Sequence, residues 1–156
     1  MKRFRKQFLM LLCVILMGTL LAACSGKADT INPNIISNGQ FSVTVPDSWE
    51  GKYVTIIDDE NIQLYQKAAY ESFGGGWLCS FEMFNDEGYK ELPSYEVLIT
   101  GAETDAGTNQ VMEEQIYIVT YPTDVQADLE DENSTSEYFE MYDQLPQIVE
   151  SFVLED

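Results

Sequence analysis

Few side chains in this chain are equipped for chemistry, and their types narrow what that chemistry can be. No histidine occurs among the 156 residues, and the arginines, Arg3 and Arg5, stand at the very start. Beyond them the chain cannot assemble a Ser-His-Asp or Cys-His site, a histidine-ligated zinc centre or an arginine clamp on phosphate. Carboxylates remain. Asp58, Asp59, Glu60 and Asn61 form one run of hard oxygens, and Asp128, Glu130, Asp131, Glu132 and Asn133 another. Neither follows the alternating spacing and closing glutamate of a calcium loop. Charge runs of this kind read as solvated faces, with Asp58, Asp59 and Glu60 the one weak candidate for a cation. A pair of Asp and Glu residues also suffices for glycoside hydrolysis, but among 27 acids some pair at a workable distance is expected by chance.

Two other features invite a chemical reading. Gly74-Gly75-Gly76 looks like a ligand loop, yet a phosphate cradle needs glycines that open a helix, and these precede WLCSFEMF, a strand pattern. A turn or bulge that lets the backbone pass close to a neighbour is the simpler account. Cys79 lies inside that apolar strand with no histidine to activate it, which predicts a buried, inert thiol.

Charge excludes a further class. Four of the eight basic residues fall within the first six positions, and after them Lys27, Lys52, Lys67 and Lys90 face all 27 acids. Nucleic acid is not an expected partner, because phosphate binding needs clustered Lys and Arg. Anionic lipid headgroups would be repelled for the same reason. No cofactor is implied.

The N-terminus carries the most specific signal. Lys2, Arg3, Arg5 and Lys6 are followed by the apolar run Phe8 to Leu21, then by the small pair Ala22-Ala23 and by Cys24. Basic residues, a short apolar core and small residues in that order describe a secretory signal. The run falls short of the roughly 20 apolar residues that cross a bilayer. Leu21-Ala22-Ala23-Cys24 resembles the lipobox of bacterial lipoproteins. The resemblance implies cleavage between Ala23 and Cys24 and a diacylglycerol on the Cys24 sulfur, which anchors a protein without a spanning helix. The expected organisation is a signal peptide over residues 1–23, a polar tether over 24–38, rich in turn formers around Pro33, and one domain over 39–156. With Cys13 in the signal and Cys24 lipidated, Cys79 has no disulfide partner, so a hydrophobic core must hold the domain.

These features require elements to position them. FSVTVP alternates from Phe41 to Val45, and Pro46 ends the ladder. Trp49, in the following turn, is expected to fold back as a core plug. Residues 53–67 read as a hairpin turning at Asp58–Asn61, and 68–72 either prolong its second strand or form one helical turn. In WLCSFEMF, period two places Trp77, Cys79, Phe81 and Met83 on one face. YEVLIT (95–100) and EQIYIVTYP (114–122) complete about six strands. Ser134 and Glu137 have capping-box spacing, and an apolar stripe follows from Tyr138 to Phe152, interrupted at Pro146, which predicts a kink or two short helices. The fold class is α+β, an antiparallel sheet of about six strands covered by a C-terminal helix.

FSVTVPDSW, the antiparallel meander and the closing IVESF resemble the PsbP/DcrB/Mog1-like group, and the whole is similar to small lipoproteins of low-GC Gram-positive bacteria. The resemblance spans most of residues 41–153 and implies an α/β/α-like sandwich with an accessory or binding role and no shared catalytic residues. It also leans towards a single membrane, although Ser25 after the cysteine is compatible with an outer membrane as well. The expectation is a lipid-anchored, extracytoplasmic, non-catalytic domain that engages an envelope protein or exported ligand. The alternative is a carboxylate-dependent hydrolase of envelope glycans.

Overall fold

The computed structural model describes residues 34–104 and 111–155; the expected signal peptide, Cys24 and most of the expected tether lie outside them. Eight strands form two antiparallel sheets. Strands β1 (Ile35–Ser37), β2 (Phe41–Thr44) and β8 (Val153–Leu154) make a small sheet in the order β1-β2-β8. Strands β3 (Tyr53–Asp58), β4 (Asn61–Gln66), β5 (Trp77–Phe84), β6 (Tyr95–Thr104) and β7 (Val111–Thr120) make a larger one in the order β3-β4-β5-β7-β6. Among the described residues three α-helices complete the domain: α1 (Lys67–Phe73), α2 (Glu132–Tyr142) and α3 (Leu145–Glu150). The α+β class and the C-terminal helices are as expected. A single sheet of about six strands is not what forms, because the short strands β1 and β8 pair with β2 as a separate sheet.

Alternation explains the larger sheet. Along β4 the odd positions stay partly exposed while Ile62, Leu64 and Gln66 are buried, and Ile62 and Leu64 stand opposite Phe81 and Cys79 of β5. Phe81 in turn faces Val119 of β7. This face meets Phe41, Val43 and Val45 of the small sheet and Tyr138, Met141, Leu145 and Ile148 of the C-terminal helices in one core. Phe152, just beyond α3, sits at the junction, with its ring 5.3 Å from that of Phe41 and 6.1 Å from that of Phe81. Trp49 is fully buried, as its plug role requires. Each such side chain removed from water contributes about 1.5–3 kcal/mol before entropy is counted.

Four local expectations need correction. Ile35–Ser37 belong to β1 although they fall within the segment read as tether; Ile36 is buried and Val45 N donates to Asn34 O at 2.9 Å. The stripe was expected to stay helical to Phe152, but α3 ends at Glu150 and Val153–Leu154 turn to pair with Phe41 and Ser42. Ser134 does not cap α2. Asp131 does, its carboxylate accepting from Asn133 N and Ser134 N, and Ser134 lies buried inside the first turn. Pro146, by contrast, stands in the first turn of α3, where its missing N–H costs nothing, and the helix pair breaks there as predicted. The fourth correction concerns Trp77 and belongs to the site.

Residues 67–73 resolve into helix. Its sequence, KAAYESF, holds good helix formers, Gln66 accepts from Ala69 N at its start, and Gly74 closes it with φ +76. The glycine run therefore follows a helix and does not open one. Gly76 has φ +80 and a Cβ there would lie 2.6 Å from Gln66 O; the two residues also share a backbone hydrogen bond, Gln66 N to Gly76 O at 2.7 Å. This is the close backbone approach expected of the run.

Candidate functional site

The helix-covered face of the large sheet is committed to the core. The opposite face lies away from α2 and α3. At one end the short 3-10 segment Glu87–Glu91 folds over it, burying Tyr89 against Ile116 and Ile118 with Phe84 and Leu92 alongside. The rest forms a groove of about 300 Å³ between Gln63 and Tyr65 of β4, Trp77, Ser80 and Glu82 of β5, and the Leu92–Ser94 and Thr120–Thr123 segments.

A β-bulge shapes this groove. Gln63 pairs with Ser80 and Leu64 with Cys79, but Tyr65 pairs with Trp77, so the register slips by one residue between Leu64 and Tyr65. The slip leaves Leu78 as the extra residue, buried in the core, and carries Trp77 to the face of Ser80 and Glu82. Trp77 thus does not share a face with Cys79, Phe81 and Met83. The indole Nε1 donates to Ser80 Oγ at 2.9 Å. From the core side, Tyr138 OH of α2 donates to the Trp77 carbonyl at 3.0 Å. The platform is held from both faces of the sheet.

The polar groups around it are mostly uncharged. Tyr65 OH donates to Gln63 Oε1 at 2.7 Å, and Thr120 Oγ1 donates to Glu82 Oε1 at 2.7 Å. Tyr70 of α1 packs its ring 5.1 Å from that of Tyr65. Burial, with the neighbouring Tyr70 adding to it, raises the Tyr65 pKa. At the rim Tyr121 is pushed up to about 12, by burial first and then by the Glu96 carboxylate that accepts its hydrogen bond. Neither phenol ionises near neutral pH. Among the described residues Glu82 is the single carboxylate in the groove lining, whereas acid-base hydrolysis of a glycoside takes two, set about 5–9.5 Å apart.

Comparisons of the chain with family models, with curated proteins and with solved structures find no match in any of the three. The site therefore stands on its own geometry.

The acidic runs fall elsewhere. Asp58 and Glu60 line a second concavity of about 450 Å³ beside Asn61, Glu82 and Asp86. Asp59 forms the hairpin tip, where its carbonyl accepts from Asn38 Nδ2 and Gln40 Nε2, and Asp58 Oδ1 accepts from Glu60 N. Among the described residues no three acidic or cysteine side chains converge as a metal site. In the second run, Asp131 caps α2, and Asp128 accepts from Ser72 Oγ and from Glu130 N. Those oxygens are engaged in holding turns together. Cys79 is buried without a disulfide partner, and burial pushes its thiol pKa far up, so it is no nucleophile. The groove itself went unread in the sequence, because only the bulge brings Trp77 beside Gln63, Tyr65 and Glu82.

No helix of the described residues is long and apolar enough to cross a membrane.

Proposed function

We propose that this chain is a lipid-anchored, extracytoplasmic domain of the cell envelope that works by binding, as an accessory module, with Cys24 as the anchor and the groove around Trp77 as the contact surface. The observation that carries the reading is the groove: a preorganised aromatic platform on the sheet face away from α2 and α3, with Glu82 the one carboxylate among its described lining residues. Ligand sites are typically concave, largely preformed and lined by aromatic groups with a few placed polar ones. The lipobox-like Leu21-Ala22-Ala23-Cys24 supports the anchor, and the likeness to the PsbP/DcrB/Mog1-like group supports an accessory role. A strongly acidic chain relies on its lipid, not on headgroup attraction, to stay at a bilayer.

The test uses a photo-crosslinking amino acid in living cells, placed at Thr123 on the groove rim and, as control, at the exposed Glu140 of α2. A recurrent adduct from position 123, absent from position 140 and lost when Cys24→Ala frees the chain from the membrane, is expected. No adduct at the groove would refute the binding role, and an unmodified Cys24 in mass spectra of the membrane fraction would refute the anchor.

A further inference from the structure

We infer that the Trp77 groove takes a neutral saccharide, with the indole stacking on a pyranose ring and Gln63 and Glu82 reading its hydroxyls. The inference rests on the binding role above and adds the ligand's chemistry.

Charge narrows the choice first. Among the described residues no cationic side chain lines the groove, and the three lysines there are paired elsewhere: Lys52 with Glu137 at 3.3 Å, Lys67 with Glu71 at 3.9 Å, and Lys90 with Glu87. A phosphate or carboxylate ligand would find no counter-charge there, and would meet Glu82. A cation would suit Glu82 and the aromatic rings, as in quaternary-ammonium cages. Against a cation stands the donor inventory. Because Tyr65 OH occupies Gln63 Oε1, the Gln63 amide nitrogen remains as a donor, and because Thr120 Oγ1 occupies Glu82 Oε1, the second carboxylate oxygen remains as an acceptor. A cation has no use for the donor.

A hydroxyl uses both. Gln63 pairs with Ser80, two positions from Glu82 on the same face of β5, a diagonal of about 7–8 Å between backbones. That spacing lets one side chain donate to, and the other accept from, neighbouring hydroxyls of one ring. The apolar C–H face of a pyranose supplies the matching surface for the indole and for Tyr65. The volume of about 300 Å³ is at the lower end for ligand pockets, the scale of one or two sugar units. The Trp77–Ser80 bond and the Tyr138 prop hold the platform before any ligand arrives, which lowers the ordering cost of binding.

The test is calorimetric titration of the full chain, purified in a detergent without a sugar headgroup, with three neutral tetrasaccharides: β-1,4-linked glucose, β-1,4-linked N-acetylglucosamine and α-1,4-linked glucose. Saturable binding of at least one is expected, weakened about tenfold or more by Trp77→Ala and by Gln63→Ala, each checked for a native far-UV circular dichroism spectrum and a cooperative melting transition above the titration temperature. A preference between the β- and α-linked sugars separates a wall-type glycan from a free storage glucan as the source. If none of the three binds, or if binding ignores both substitutions, the inference is overturned. Binding of choline or spermidine that is lost in Glu82→Gln, with no sugar bound, overturns it in favour of a cation. Should the sugars fail while position 123 still crosslinks in cells, only the ligand class is wrong; if both fail, the binding role falls with it.

Discussion

The indole of Trp77 is hydrogen-bonded to the hydroxyl of Ser80, three residues along the same strand, at 2.9 Å. In a regular strand those two side chains point to opposite faces. The contact exists because Leu78 is the extra residue of a bulge, and it orients the largest flat surface of the groove. Ser80 is itself buried, so its hydroxyl is a costly place to lose a partner. Ser80→Ala removes the acceptor of the partly buried Trp77 indole and is expected to lower stability by about 1 kcal/mol, the net worth of one such hydrogen bond. It should also speed exchange of the Trp77 indole proton in NMR spectra. An unchanged exchange rate would show that the bond does not hold the ring.

Gln66 occupies the other key junction. Fully buried, it caps α1 through Ala69 N at 2.9 Å, and its amide nitrogen donates to Glu137 Oε1 at 3.1 Å and Ser134 Oγ at 3.3 Å. One side chain thus ties the end of β4 to the first turns of α2. Loss of a cap costs about 1 kcal/mol and orphaned buried partners about as much again or more, so Gln66→Ala should cost about 2–3 kcal/mol and lower Tm by about 10 °C. Gln66→Glu puts a carboxylate beside Glu137 and should be no better. A melting curve within about 2 °C of the parent would mean that water replaces these partners.

The glycines separate conformational strain from close approach. Gly39 and Gly76 both have positive φ, but a Cβ at Gly39 meets nothing within 4 Å, whereas at Gly76 it meets Gln66 O at 2.6 Å and the Ala69 side chain at 3.0 Å. Gly39→Ala should cost about 1 kcal/mol, the left-handed penalty alone. Gly76→Ala adds a backbone clash that the Gln66–Gly76 hydrogen bond prevents from relaxing, and its cost in urea unfolding should exceed that of Gly39→Ala by at least about 1–2 kcal/mol. Equal costs would show that the strand ends move apart freely.

How far the sequence anticipates this molecule depends on the range of the interaction that decides each element. Strands β2 to β5, the hairpin turning at Asp59–Glu60 and the break before Pro146 are set by alternation, turn residues and proline sterics, and all three signals are local. Strands β1 and β8, of three and two residues, are too short to show any period and exist because β2 offers its edges. At α2, Asp131 and Ser134 are equally good capping types; Ser134 is drawn inward by Gln66, which lies 68 positions away. For the groove, Leu78 and Cys79 are both apolar, so either could take the core position and the residue that bulges is not written in WLCSFEMF. The choice is made by pairing with β4 and by Tyr138, which reaches the Trp77 carbonyl from across the core.

Burial of the Tyr138 hydroxyl gives the fold a measurable response to alkali. Burial pushes the Tyr138 phenol up to about 12, outweighing a backbone hydrogen bond at Gln126, while an unfolded tyrosine titrates near 10. The folded chain therefore holds this proton more tightly than the unfolded one. The stabilisation it represents is complete below about pH 10 and is lost as pH rises through about 12, because the phenolate forms first in the unfolded state. Tyr121, raised to about 12 for the same primary reason, acts in the same direction. Urea unfolding followed from pH 8 to 12 should show stability flat to about pH 10 and declining beyond it. Tyr138→Phe should begin less stable, by about 1 kcal/mol for the lost hydrogen bond to Trp77 O, and decline less steeply, since it has no proton to lose at that position. Parallel curves for the two proteins would show that the Tyr138 hydroxyl is not held in the interior, and with it would go the prop beneath the bulge.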